Sequence, residues 1–374
     1  MKNTFKIFLG CAVLVSALTA GTVRSQGTAG ASQLLIPVGT ETVALAGTNV
    51  GTVAGVDALF TNVAGLARQT GLQGTVSTTS YIADIDVMYA GMVVALGETG
   101  TFGMTIKSLD FGDIPKTTAF APEGDGQTFS PSFFTATAGF ARAFSDRVNV
   151  GVATKLVSET IEETSATGMA LDVGVQYRFP NQPLTFGVAM KNVGSRMHYD
   201  GINLDQDMVP ADSESGSSSE TFRIVADNFA LPTSLDLSAT YSLLDNLDVS
   251  ATFTNHSYQT NNLALGAKYM LGSSWFGAAT TMTIGDDEKP TGLSDADWDE
   301  WSGTLWGLSM GAGVSIPVGD YMMHVSYAMR TANEYFDDQS TMQVTFDFSN
   351  CSYSFENEIV KGLRNEPFFF MLLK

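Results

Sequence analysis

Three histidines and two clusters of carboxylates are the residues of this chain best suited to chemistry, and their spacing argues against it. His198, His256 and His324 are the only histidines. His324 and Ser326 share one face of a strand-like stretch, but two residues apart on a strand the side chains run parallel and do not meet as nucleophile and base. No glycine-rich phosphate loop follows a strand and opens a helix. The two cysteines, Cys11 and Cys351, make no metal motif. The sequence therefore predicts no enzyme, no cofactor and no metal centre. Residues 194–231 hold Asp200, Asp205, Asp207, Asp212, Glu214, Glu220 and Asp227 around the run Ser213–Ser219. Carboxylates suit calcium, but the regular Asp-x-Asp-x-Asn-Gly spacing is missing, and a solvated loop is the simpler reading. Residues 285–303 mix seven acids with Trp298 and Trp301. Tryptophan among acids suits either a partner surface or packing on a rim. With Tyr199 and Asp200 these form the candidate partner surface.

A third group sits at regular alternate positions: Lys155, Asp172, Gln176, Arg178, Lys191 and Lys268. Their setting shows what must position them. In Leu235-Asp236-Leu237-Ser238-Ala239-Thr240-Tyr241-Ser242-Leu243 every odd residue is apolar and every even one polar, the signature of a strand with one greasy and one wet face. The beat returns in 169–179, 247–253, 263–271, 306–316 and 342–348. A barrel in a bilayer requires such strands, because its outside meets hydrocarbon and its lumen is polar. The charged group is then expected to face the lumen, lining a conduit, binding a ligand head group, or pairing across a filled interior.

About fourteen strands are predicted, near 72–81, 85–96, 101–111, 131–144, 147–160, 165–179, 184–193, 232–243, 246–256, 261–271, 274–284, 304–316, 320–330 and 340–348. Val87–Leu96 is apolar on both faces. The third strand slips phase between Ile106 and Leu109, which predicts a bulge. Short connections (145–146, 180–183, 244–245, 272–273, 317–319) alternate with long ones (112–130, 194–231, 285–303), as periplasmic turns alternate with external loops. Aromatics near strand ends (Tyr81, Phe111, Phe144, Tyr177, Phe179, Trp275, Tyr321, Tyr327, Phe346, Phe348) predict interfacial girdles.

The ends read differently. Residues 1–25 have a basic start, Lys2 and Lys6, then an apolar run, and are expected to be a cleaved export leader. Its loss takes the formal charge from −20 to about −23, which argues against nucleic acid as a partner. Residues 26–71 differ: Leu34–Arg68 is rich in Ala, Gly and Val without clean period two, which predicts an element tucked into the lumen, a hatch, or else one or two extra strands, ahead of a barrel over 72–348. Residues 349–374 form a C-terminal tail. The expected location is the outer membrane of a Gram-negative-type bacterium, with its lipid as one partner.

Leu34-Leu35-Ile36-Pro37-Val38-Gly39, Ala44-Leu45-Ala46-Gly47 and Asp57-Ala58-Leu59-Phe60-Thr61-Asn62-Val63-Ala64-Gly65-Leu66-Ala67, followed by Lys191-Asn192-Val193-Gly194 and Leu231-Pro232, resemble the PorV/PorQ family. Valine stands at Val63 where the family pattern has proline. The resemblance implies a fold like the FadL-type fatty acid channels, an all-β closed antiparallel barrel of about fourteen strands with an N-terminal luminal hatch carrying Asn62, Ala64, Gly65 and Leu66. It implies a protein-interaction component of type IX-like secretion or surface attachment, whose partners would be the C-terminal signal domains of exported proteins. The alternative it implies is a FadL-like uptake channel for long-chain fatty acids or another hydrophobic small molecule. That alternative predicts an apolar pocket beneath the external loops and a break in the barrel wall.

Overall fold

The computed structural model describes residues 29–117, 121–124, 126–209, 218–284, 305–333 and 335–349. Residues 1–28, which include the expected leader, and residues 350–374 lie outside these. The wall consists of β1 (Leu72–Ser80), β2 (Asp86–Ala95), β3 (Thr101–Asp110), β4 (Ser132–Ala143), β5 (Val148–Ile161), β6 (Thr164–Arg178) and β7 (Leu184–Gly194). It continues through β8 (Ser234–Leu244), β9 (Leu247–His256), β10 (Asn261–Leu271), β11 (Ser274–Ile284), β12 (Trp306–Val318), β13 (Tyr321–Ala332) and β14 (Gln339–Asp347). Each strand pairs antiparallel with the next, and β14 returns to β1 with Thr75 opposite Thr345. The result is a closed fourteen-stranded barrel. Closure leaves no sheet edge whose backbone groups would lie bare in hydrocarbon. No described helix is long and apolar enough to cross a membrane; the strands are the spanning elements.

The alternation sorts as a membrane barrel demands. Val76, Met88, Met104, Ile106, Leu156, Met169 and Met342 are exposed, whereas Thr75, Ser77, Thr79, Thr105, Thr137, Thr240 and Thr341 are buried. That inverts the soluble rule and fits an exterior of lipid. Rings cluster outside at the short-turn end: Tyr177 against Phe179 at 4.8 Å, Phe179 against Phe186 at 5.2 Å, and Tyr321 against Phe348 at 5.3 Å.

Three expected girdle residues turn the other way. Tyr81 and Phe111 pack on the apolar cluster inside the barrel, and Trp275 packs on Val43, Ala44 and Ala328. The bulge expected in β3 is also absent. Its ladders run unbroken to β2 and β4 from Thr101 to Asp110. Lys107 and Leu109 both face inward, because the interior at that level is itself apolar and accepts a leucine in the phase expected to be polar. The bulges lie elsewhere. One residue is inserted in β7 between Leu171 and Val173 of its partner β6, one in β8 between Ser242 and Leu244, and one in β12 between Trp306 and Ser309.

Candidate functional site

The lumen is occupied by the N-terminal segment. It is a string of short helical turns, including Thr40–Ala44, Ala58–Thr61 and Val63–Arg68, and contains no strand among its described residues. Gly39 and Gly47, at φ 82° and 76°, start or break these turns. Val53, Val56, Leu59, Val63 and Leu66 bury their side chains against Val87, Tyr89, Val93 and Leu109 of the wall. This segment is called the plug below.

One side of the plug is fixed by polar side chains of β13 and β14. The Gln343 amide accepts from the Thr40 backbone N–H at 2.7 Å and donates to both Asp57 carboxylate oxygens at 3.1 Å. The Thr40 and Ser326 hydroxyls meet at 2.5 Å. Burial pushes the Asp57 carboxyl up to about 7, the Gln343 hydrogen bond opposes this, and nearby Glu41 adds to the rise. Lys268 of β10 pairs with Glu41 at 2.7 Å.

The opposite side is a close fit. Asn62 donates to the backbone carbonyls of Val50 (2.9 Å) and of Val175 in β6 (3.1 Å), and accepts from the Ala64 N–H (3.1 Å). It thus caps the Val63–Arg68 turn. A Cβ on Gly174 would stand 2.0 Å from the Asn62 Oδ1, and one on Gly187 2.5 Å from the backbone of Val50 and Gly51. Gly65 is as constrained, since its Cβ would meet the Val53 carbonyl at 2.3 Å. Ala64 and Leu66 are fully buried. Gln176 donates to the carbonyls of Val50 and Val53.

Beyond this close fit, called the seat below as the polar ties on the other side are called the latch, the β7 bulge organises a buried charge network. Asn192 takes φ 60°. Its N–H donates to Asp172 at 2.8 Å, its side chain accepts from Lys155 at 2.7 Å, and it donates to the Pro232 carbonyl at 3.1 Å. Lys155 pairs with Asp172 at 2.6 Å and Lys191 with Asp236 at 2.7 Å. Such pairs add little net stability but are costly to break from one side. Lys107 has no carboxylate among its described contacts. Its ammonium donates to the carbonyls of Gln33 (2.5 Å) and Ile36 (3.2 Å) and lies 5.0 Å from the Phe60 ring. It borders a cavity of about 20 Å³ lined by Leu34, Leu59, Phe60, Tyr89, Thr105, Thr135, Thr137 and Lys155, room for about one water.

Five of the six luminal candidates therefore bond across the interior, and Arg178 is exposed at the short-turn mouth. Tyr199 is not a free surface residue: its hydroxyl donates to Glu159 and its ring packs on Phe229. Burial, with that hydrogen bond, pushes its hydroxyl well above the usual tyrosine range. Asp200 is solvent-exposed and contacts Arg223 at 3.3 Å. Trp298 and Trp301 lie outside the described residues. Ser326 bonds the plug rather than His324, whose ring pairs with Ser315 across the β12–β13 ladder at 2.7 Å. Sequence reasoning missed Asp57, Gln343 and Lys107 as a set. Only the inward phase of β3 and β14 pointed to the last two.

No family model matches the chain, and no curated protein matches it. Solved structures do. The CymD monoaromatic hydrocarbon channel aligns over 83% of this chain and 97% of its own, at 12% identity and TM-score 0.51. A Pseudomonas aeruginosa FadL homologue aligns over 83% and 98%, at 13% and 0.52. The Pseudomonas putida toluene transporter TodX aligns over 82% and 95%, at 11% and 0.51. The fold is that of the FadL-type outer-membrane barrels. At these identities the FadL-type likeness speaks for architecture alone, and none of these structures bears on the PorV/PorQ resemblance.

Proposed function

We propose that this chain is an outer-membrane barrel that takes up hydrophobic small molecules, with residues 26–71 as its hatch, 72–348 as its barrel and 1–25 as its export leader. One observation carries the reading: a plug bonded to the wall on opposite sides blocks a straight hydrated path, and a mainly apolar cavity lies against it in the half of the barrel nearer the long loops. A filled lumen suits cargo that can leave through the wall into lipid. The cavity holds about one water, so cargo must displace the Ser32–Leu34 turn that covers it. The similar barrels named for hydrocarbons and toluene support the cargo class. The test is uptake of radiolabelled toluene and oleate by cells expressing the full chain. Uptake several-fold above vector controls is expected. Uptake equal to controls, with the barrel verified in the outer membrane, overturns the proposal.

A second reading, a PorV-like docking barrel for secreted signal domains, is favoured by one feature. The hairpin of Asp205–Met208 and Glu220–Arg223 points Met208 and Phe222 to one face, both exposed, with Ile224 and Val225 exposed beside it. Co-purification of signal domains that is lost when Phe222 and Ile224 become serine would favour this reading over uptake.

A further inference from the structure

The wall opposite the plug's apolar side carries a polar patch. Thr105, Thr137 and Lys155 form one row across β3, β4 and β5, and Lys107 pairs with Thr135 in the row above. Small residues bound the patch toward the short turns, at Gly103, Gly139 and Ala153, and Leu109 and Phe133 bound it toward the long loops. The plug answers this patch with carbon. Leu34, Leu59 and Phe60 close the cavity of about 20 Å³ that it borders.

Hydrogen-bond donors are in excess there. An ammonium has three N–H groups and no acceptor. Lys107 directs two at the Gln33 and Ile36 carbonyls, and Lys155 directs two at Asn192 and Asp172, so each has one over among its described contacts. The Thr135 hydroxyl is buried with no partner. All three side chains are more than nine-tenths buried.

Charge is in excess too. Asp172 answers Lys155 and Asp236 answers Lys191. Both of those cations act on Lys107, which has no carboxylate of its own among its described contacts. Glu159, on the loop side of the patch, is held by the Tyr199 hydroxyl. The Phe60 ring lies 5.0 Å from the Lys107 ammonium and 5.6 Å from that of Lys191. A ring shared by two cations offsets only part of a charge withdrawn from water.

From this juxtaposition we infer that Lys107, Lys155 and Thr135 enclose one halide ion, such as chloride, between the plug and the wall. Size selects the ion. The volume admits one water or one monatomic ion, and a sulfate, a phosphate or a carboxylate with its chain is larger. Charge selects it over water. A water would accept two of the three hydrogens, leave the charge unbalanced and turn its own hydrogens toward Leu34 and Leu59. A halide accepts all three and supplies the missing charge. The ion then works as a clip, since the lysine it holds in place ties the start of the plug to β3 through Gln33 and Ile36. This is independent of the uptake reading, because a barrel that carries no cargo would hold the ion equally well.

The test uses the full chain in detergent micelles and compares urea unfolding in sodium chloride, sodium acetate and sodium gluconate at matched ionic strength. A ligand bound only by the folded state lowers the unfolding constant about tenfold for each tenfold rise in its concentration above its dissociation constant. That dependence is expected in chloride and not in acetate or gluconate. K107M should lose it. T135V, which removes one donor at nearly constant volume, should raise the chloride needed at least about tenfold, the worth of one bond to an ion, and T135S should restore it. T135V and T135S decide the matter if K107M fails to fold. Crystals grown in sodium bromide should show an anomalous peak between the Lys107 Nζ and the Thr135 Oγ1. Equal midpoints in chloride and gluconate overturn the proposal, as does a chloride dependence that T135V leaves unchanged. Acetate acting as well as chloride overturns the monatomic site, and a bromide map without that peak overturns its location.

Discussion

The two sides of the plug are held by different physics. Toward β13 and β14 it is tied by directional polar bonds through Thr40, Asp57 and Gln343. Toward β5, β6 and β7 it is set mainly by close contact at Gly151, Gly174 and Gly187, where an added Cβ would meet plug backbone or the Asn62 side chain, with Asn62 and Gln176 adding bonds to backbone carbonyls. Polar ties can be exchanged with water or retuned by protonation at modest cost. Close-packed backbone has no such slack, because a single added carbon displaces whole turns. The seat therefore sets where the plug sits, and the latch sets how firmly it stays. The latch is the side on which movement would begin.

The largest effect is expected at the seat. Gly174→Leu puts carbon on the Asn62 carboxamide, and Gly151→Val puts it within 2.7 Å of the Val63 carbonyl. Each should destabilise the seated plug by about 3 kcal/mol and open an ionic leak. Conductance in planar bilayers checks this: wild type near baseline, variants with discrete openings. Silent variants would mean that the plug tolerates displacement on its glycine side, and the contrast between seat and latch would fail. Asn62→Ala should cost somewhat less, about 2–3 kcal/mol, for two donated bonds and a helix cap, read from urea unfolding midpoints.

The latch is predicted to respond to pH. Asp57 lies in the plug, outside the spanning strands, and its carboxyl is raised from 3.8 to about 7. Between these values the folded protein binds more protons than the unfolded chain, so stability falls as pH rises. The stabilising contribution is complete below about pH 4 and lost as pH passes through 7. Unfolding midpoints at pH 4.5 and pH 8 should differ in that direction, and Asp57→Asn, which keeps a polar group facing Gln343, should flatten the difference. An unchanged pH dependence in that variant would assign the effect to another group.

The strands were readable because lipid and lumen impose opposite demands on alternate residues, and that demand is local. Leu235–Leu243 carries its faces in its own sequence. The interior was less readable because what each inward residue meets is decided by a segment far away in the chain. Leu109 looked like a phase error only because a polar lumen was assumed; the plug supplies Val56 and Leu59 there. Tyr81 and Trp275 carried the same ambiguity, since a ring near a strand end suits an interface or an interior equally well. Asn62 was legible as a turn residue. Its bond to Val175, 113 residues away, was not.

The smallest effect is expected at the rim, and it sharpens the contrast by standing outside it. Arg223 grips Asp205 with two bonds, at 2.6 and 3.0 Å, on a hairpin exposed to solvent. Water and salt screen such a pair, and what it gains is offset by the ordering of a long side chain. Arg223→Ala should leave the barrel's unfolding midpoint unchanged within error while making 205–223 more open to limited proteolysis. A midpoint that falls with the pair would show that the hairpin shares the barrel's cooperative unit. Stability would then run continuously from seat to rim, and the plug's two sides would differ in degree rather than in kind.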